Sequence, residues 1–232
     1  MAQLILIRHG QSLWNALNKF TGWVDVPLSE RGRAEATIAS CRLSNYRVNV
    51  CFTSRLIRAI ETAMICLTER DDICGGKIPI IKHEKDDQVW HGWNSYDGNP
   101  EEELPIFTNE ALNERFYGDL QGLNKADTAK KYGVEQVYAW RRSYDVRPPR
   151  GESLEDTQKR VNAYFRSRIL PHLLQGDNVL ITAHGNSLRS IMMMLDHLSP
   201  SEVIALELAT GVPIAYELDV TGEVISKTIL ND

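Results

Sequence analysis

Short apolar runs alternate with amphipathic stretches along the first third of the chain. Residues 4–7 and 50–53 are brief apolar runs, whereas 29–43 and 56–67 carry mixed patterns of helical length. That alternation predicts βαβα units, with the short runs as buried strands. Ser29-Glu30-Arg31-Gly32 supplies a cap for the first long helix. Ser153-Leu154-Glu155-Asp156 caps a second that runs toward Leu174, with Pro171 near its end. Residues 178–182 read as another buried strand, and 214–218 and 224–228, separated by Thr221-Gly222, as a closing hairpin. The expected fold is α/β: three layers, with a mostly parallel sheet flanked by helices, in a single domain over 1–232.

The stretch 82–108 breaks this rhythm. It holds Glu84, Asp86, Asp87, Asp97 and Glu101 to Glu103, together with Trp90, Trp93 and Tyr96. It is read as an insertion, with an active-site lid, an oligomer contact and a solvated excursion as its three candidate roles.

Composition narrows the classes of partner. With 43% apolar and 25% charged residues the 232-residue chain can bury a sizeable core. A formal net charge of −5 argues against general binding to nucleic acid or to anionic membranes, so any anion site has to be local. No apolar run reaches the ~20 residues of a membrane helix, and the start lacks the basic segment of a signal peptide. A cytoplasmic protein is expected. Cys41, Cys51, Cys66 and Cys74 lack Cys-x-x-Cys spacing and are read as buried thiols.

Candidate chemistry follows three of the expected strands: Arg8-His9-Gly10-Gln11-Ser12, then Thr53-Ser54 through Arg58, then His184-Gly185-Asn186. The C-terminal ends of parallel strands share one crevice, so these segments can converge. A histidine followed by glycine after one strand is an ordinary loop feature. Two such sites beside Arg8 and Arg58 point instead to phosphoryl chemistry, because imidazole can attack phosphorus and guanidinium matches phosphate oxygens in a bidentate fork. There is no Walker loop and no carboxylate cluster with metal-ligand spacing, so the expected site uses no metal.

Arg8-His9-Gly10-Gln11-Ser12 with Asn15 and Phe20-Thr21-Gly22-Trp23 resembles the opening of the histidine phosphatase superfamily. Leu112-Asn113-Glu114-Arg115-Phe116-Tyr117-Gly118, Leu120 to Lys125, Trp140-Arg141-Arg142, Ala183 to Ser187 and Thr210-Gly211-Val212-Pro213 are similar to its cofactor-dependent phosphoglycerate mutase branch. The resemblance implies interconversion of 2- and 3-phosphoglycerate, primed by 2,3-bisphosphoglycerate. It implies His9 as the phosphorylated nucleophile, Glu114 as proton donor and acceptor, and His184, Arg8 and Arg58 as stabilisers of the transferring group. Gly10, Gln11, Ser12, Asn15, Thr21, Gly22, Arg115, Phe116, Tyr117, Lys125, Arg141, Arg142, Gly185 and Asn186 are the implied ligand-binding set.

For that role Glu114 is expected to have a raised pKa, and His184 to be cationic or a donor when the transferring phosphoryl group is planar. A homodimer is left open. The chain departs from the family in a short connection after Pro148-Pro149, in the stretch 82–108, and in ending at Asp232 without an extended tail. The insertion is expected to replace that tail in part as a cover, and some phosphatase activity is expected. A phosphatase or bisphosphoglycerate synthase of the same superfamily is the alternative enzyme, and a catalytically silent phosphate-binding regulator is the alternative outside enzymes.

Overall fold

In β1 (Ala2–Arg8), Leu4 and Leu6 enter one apolar cluster while Ile5 and Ile7 enter another. A strand with alternate side chains in two cores is buried on both faces, and its sequence is therefore continuously apolar rather than alternating. β2 (Val50–Thr53) divides in the same way, Phe52 on one side and Cys51 on the other. So does β5 (Val179–Ala183), with Ile181 opposed to Leu180. The computed structural model describes residues 1–82 and 98–231.

Among the described residues the sheet has seven strands, in the order β3-β4-β2-β5-β1-β6-β7. β3 (Ile78–Lys82), β4 (Glu103–Thr108), β2, β5 and β1 run parallel, while β6 (Pro213–Leu218) and β7 (Val224–Ile229) close one side as the expected antiparallel hairpin. Two layers of helices cover it. The cluster containing Ile5 and Leu180 also takes in Ala39 from α2 (Glu30–Arg42) and Ala63, Cys66 and Leu67 from α3 (Ile57–Thr68). The opposite cluster takes in Val161 and Tyr164 from α7 (Leu154–Tyr164) and Leu188, Ile191 and Met192 from α9 (Gly185–Leu195). Ser29 and Ser153 cap α2 and α7 through their hydroxyls, as their sequences predict. Between α7 and α8 (Leu170–Leu174) the helix widens into a π turn over Phe165–Ile169, just ahead of Pro171, which lacks the N–H of a regular helix.

Two sequence expectations need correction. The last six residues of the stretch read as an insertion are β4, a strand inside the sheet with Leu104 and Ile106 fully buried. Pro105 and three preceding glutamates disguise it; Pro105 is tolerated because pairing with β2 begins one residue later, at Ile106. Residues 83–97, with Trp90, Trp93 and Tyr96, lie outside the described residues, and so does the cover assigned to them. Among the cysteines, Cys51, Cys66 and Cys74 are buried, but Cys41 is exposed. It lies in the last turn of α2 and turns away from the core that takes Ala39 and Leu43. No helix among the described residues is long and apolar enough to cross a membrane.

Candidate active site

β5 lies between β1 and β2, so the segments that follow the three strands leave the sheet side by side. The His9 N–H donates to the Ala183 carbonyl at 3.0 Å, which extends the β1–β5 ladder by one residue and brings His9 beside His184. Their ring centroids are 4.9 Å apart, edge to face. Arg58 belongs to the first turn of α3, after β2, and His184 is the N-cap of α9. β4 delivers the fourth group: a 3-10 turn at Glu110–Leu112 follows it and leads directly to Glu114.

His9 is 3% exposed, and its Nδ1 lies 2.7 Å from the Gly10 carbonyl oxygen. A carbonyl can only accept, so Nδ1 carries the proton and Nε2 keeps its lone pair. Arg58 Nε donates to that Nε2 at 3.3 Å. The guanidinium is itself held by the carbonyls of Val24 (3.0 Å) and Gly22 (2.7 Å). Burial, followed by the neighbouring Arg58 and Arg8, pushes the His9 pKa well below the ordinary value; the Gly10 carbonyl opposes this weakly. Burial also pushes Arg58 down to about 10, against the pull of Glu114 and Asp25, so it stays cationic at neutral pH.

His184 is fully buried. Burial first, then Arg58 and His9, depress its pKa well below normal. These causes favour the neutral imidazole, the donor of the two forms expected of His184. Its Nε2 is 2.8 Å from Ser54 Oγ, while Nδ1 is buried without a partner.

Two buried neutral histidines make folding pH-dependent. Their folded pKa values lie below the unfolded value of about 6.5, so below that pH the unfolded chain binds protons that the folded one excludes. Their contribution to stability is fully present above about pH 6.5 and is lost as pH falls toward the folded values, at up to about 1.4 kcal/mol per pH unit for each. Denaturant titrations across this range should show that slope, and a His184→Asn protein should show a shallower one.

Glu114 is half-buried, and its Oε1 accepts from the Arg115 N–H (2.7 Å), the Asn186 N–H (3.3 Å) and Asn186 Nδ2 (2.7 Å). Among the described residues no hydrogen bond reaches Oε2. Burial pushes the carboxyl up, but the Arg115 N–H, the Asn186 amide and the guanidiniums of Arg115 and Arg58 together outweigh it. The group is held below the usual carboxylate range, so the expected raised pKa is not found. The proton-transfer role that the resemblance implies led to an expectation of an enclosed carboxyl, but not of the three N–H donors that meet one of its oxygens.

Arg8, His9, Asn15, Lys19, Phe20, Thr21, Gly22, Arg58, Glu114, Tyr117 and Lys125 line one cleft. Arg115, Arg141, Arg142, Asn186 and Arg189 line a small hollow beside it. Tyr117 stands between the two, its hydroxyl 3.1 Å from Arg115 Nη2 and 3.4 Å from Asn186 Nδ2. Gly185 begins α9 where Arg8, Arg189 and Glu114 meet.

Gly185 and four other residues of the implied binding set lie outside both linings. A Cβ on Gly10 would come within 2.1 Å of the Gly32 carbonyl oxygen, so the close approach that this glycine permits is to α2. The Gly10 and Gln11 N–H groups are taken by Thr62 and Glu35, and the Gln11 side chain accepts from Ser29. Ser12 caps the short helix α1 (Leu13–Ala16). Phe116 packs edge-on against Trp23, with centroids 5.7 Å apart.

Motif reading passed over four contributors: Lys19, Arg189, Ser54 as the partner of His184, and Arg160. Arg160 grips the Glu114 carbonyl at 2.9 Å and pairs with Glu152 at 3.0 Å. Arg189 was signalled by its place one helical turn after Asn186. Arg160 carries no local signal, since it reaches the site from the middle of α7.

Arg8 Nε, Thr21 Oγ1, both Nε and Nη1 of Arg115, and His184 Nδ1 are buried without partners among the described residues. Buried polar groups are ordinarily satisfied, so five such atoms around one cleft and its hollow fit a multiply charged ligand that accepts hydrogen bonds. The model of the histidine phosphatase superfamily (branch 1) matches residues 4–85 and 98–228, and the chain belongs to that superfamily. A solved structure titled Bacillus stearothermophilus YhfR aligns with a TM-score of 0.73 at 25% identity, over 97% of this chain and 94% of its own. The alpha-ribazole phosphatase from Shigella flexneri shares the fold, with a TM-score of 0.73 at 22% identity over 99% and 96%. Within the superfamily the chain's kin are 2,3-bisphosphoglycerate-dependent phosphoglycerate mutases. It is 72% identical to enzyme 1 of that name from Gloeobacter violaceus, over 100% of both chains. It is 65% identical to the one from Gloeothece citriformis, again over 100% of both.

Proposed function

We propose that the chain interconverts 2-phosphoglycerate and 3-phosphoglycerate through a phosphohistidine on His9, without a metal. The observation that carries this reading is the pairing of one imidazole, whose Nε2 is kept unprotonated by the Nδ1–Gly10 bond and accepts from Arg58, with one carboxylate whose Oε2 is unengaged among the described residues, in a cleft of cations. Kinship with the mutases supplies the substrate.

Arg8, Arg58 and Lys125, with Thr21 and Asn15, would hold the phosphate that reacts. Arg115, Arg141 and Arg142 would hold the opposite anionic end. These residues suit 2,3-bisphosphoglycerate, whose chemical contribution is a phosphoryl group that primes His9. In the half that phosphorylates the enzyme, His9 Nε2 forms a bond to phosphorus as the bond from phosphorus to the ester oxygen breaks, and Glu114 gives that oxygen the proton it took from the acceptor hydroxyl in the other half, or from solvent when His9 is first primed. In the return half, Glu114 takes the proton of the acceptor hydroxyl as its oxygen attacks phosphorus and His9 leaves with its lone pair. Arg58 and an Nδ1–H of His184 would neutralise charge on the planar phosphoryl group, with the Ser54 hydroxyl donating to Nε2 to fix that tautomer.

Isomerisation measured with EDTA present, with and without bisphosphoglycerate, tests the reading. Strong stimulation by the primer is expected. Release of inorganic phosphate outpacing isomerisation would replace it with a phosphatase.

The arginine hollow gives a second expected result. Arg141→Ala together with Arg142→Ala should raise KM by at least tenfold with a much smaller change in kcat, because these groups hold an end of the ligand that does not react. Steady-state kinetics check this, and a lost kcat at unchanged KM would place the pair with the reacting group instead.

A further inference from the structure

The arginine hollow already holds an anion of the protein's own. Glu207 Oε1 lies 2.7 Å from Arg142 Nη2, and its Oε2 lies 3.9 Å from Arg189 Nη2. Although the side chain is 72% exposed, its backbone is gripped on both sides. Arg189 Nε and Nη2 donate to the Leu206 carbonyl at 2.9 and 2.7 Å, and Arg8 Nη1 donates to the Leu208 carbonyl at 2.7 Å. The segment after α10 (Pro200–Ala205) is therefore fastened to two arginines, one of the cleft and one of the hollow, with Glu207 carried between them.

We propose that Glu207 is an internal counter-anion that engages Arg142, and more weakly Arg189, and that the ligand's anionic end must displace. The proposal rests on the reading of the hollow as a ligand subsite. Of the four guanidiniums there, that of Arg115 has two unpartnered nitrogens, and that of Arg141 has no ion pair among the described residues. A ligand therefore meets two open cations and two engaged ones. Displacement costs little, because an exposed ion pair is weak and screened. The cost is common to every ligand that must displace it, so Glu207 lowers affinity at this end of the site.

Glu207→Gln keeps the shape and removes the charge. KM for 3-phosphoglycerate should fall by about two- to fivefold at low ionic strength, the range of an exposed ion pair, while kcat stays within about twofold. The difference should shrink at high ionic strength. It should also be at least halved in an Arg142→Ala background, since the gain depends on that partner. Glu223→Gln, in the turn between β6 and β7, removes the same charge away from the hollow and should leave KM unchanged.

An unchanged KM in Glu207→Gln, a fall that persists undiminished with Arg142→Ala, or an equal fall in Glu223→Gln would each overturn the proposal. The Arg141→Ala, Arg142→Ala protein separates the two levels. If its KM is not raised, the subsite reading fails; if it is raised while Glu207→Gln changes nothing, only the role of Glu207 fails.

Discussion

His9→Ala should carry no acid-labile phosphate after incubation with bisphosphoglycerate, and its isomerisation should fall by a factor on the order of 10⁴ to 10⁶, as when an enzyme loses its nucleophile. None of the surrounding groups can substitute. His184 is the nearest imidazole, but its Nε2 is engaged with Ser54. The loss should be one of chemistry rather than of folding, because His9 belongs to neither of the apolar clusters that sandwich the sheet. The change leaves the Gly10 carbonyl without its donor and Arg58 Nε without its acceptor, at a cost of about 1–3 kcal/mol. Ligand binding, measured calorimetrically with 3-phosphoglycerate, should survive, since Arg115, Arg141 and Lys125 are untouched. Residual phosphate on the mutant protein would remove His9 from the nucleophile's place.

Three strands that the sequence showed plainly in its apolar runs, β1, β2 and β5, share one property: each carries at least four consecutive residues without a charge, whereas β6 and β7, with Glu217 and Lys227, were marked by the Thr221-Gly222 turn between them. β4 has the same burial but begins at Glu103 and contains Pro105, so its pattern was absorbed into the stretch before it. The consequence reached the site itself. Glu114 was legible as a motif residue, but the strand that carries it to the C-terminal edge, beside β2, was not.

Site residues divide along the same line. His9, Arg58 and His184 follow visible strands and converge as expected, whereas Gly10, Gln11 and Ser12 are adjacent to His9 in sequence yet serve its support. Proximity in a motif does not say which way a side chain faces. Burial and hydrogen bonding also determined protonation. Burial, and then the neighbouring cations, push the His184 pKa down, and three N–H groups that converge on one oxygen help to hold that of Glu114 down. Neither environment has a periodic signature along the chain.

Glu114→Gln should lower kcat by about 10²- to 10⁴-fold, the usual contribution of a positioned proton donor and acceptor, with the fold and KM little changed. The substitution isolates the proton. A glutamine places its carbonyl oxygen where Oε1 stands and still accepts from the Arg115 and Asn186 N–H groups and from Asn186 Nδ2, while an amide takes the place of Oε2. Both halves of the proposed reaction need a proton moved at the ester oxygen, so phosphorylation of His9 by bisphosphoglycerate should slow along with isomerisation. A nitrophenyl phosphate, whose departing oxygen needs no proton, should phosphorylate the glutamine enzyme at nearly the rate of the native one. Equal impairment with both donors would mean that Glu114 shapes the cleft instead of moving protons.

The pH profile adds a test of sign. The folded carboxyl is held below its ordinary value, so the ionised form prevails at neutral pH and is lost only as pH falls below the usual carboxylate range. An acidic limb of kcat/KM due to Glu114 should therefore lie on that far acidic side. A limb near neutrality that vanishes in Glu114→Gln would mean that burial outweighs the N–H donors after all.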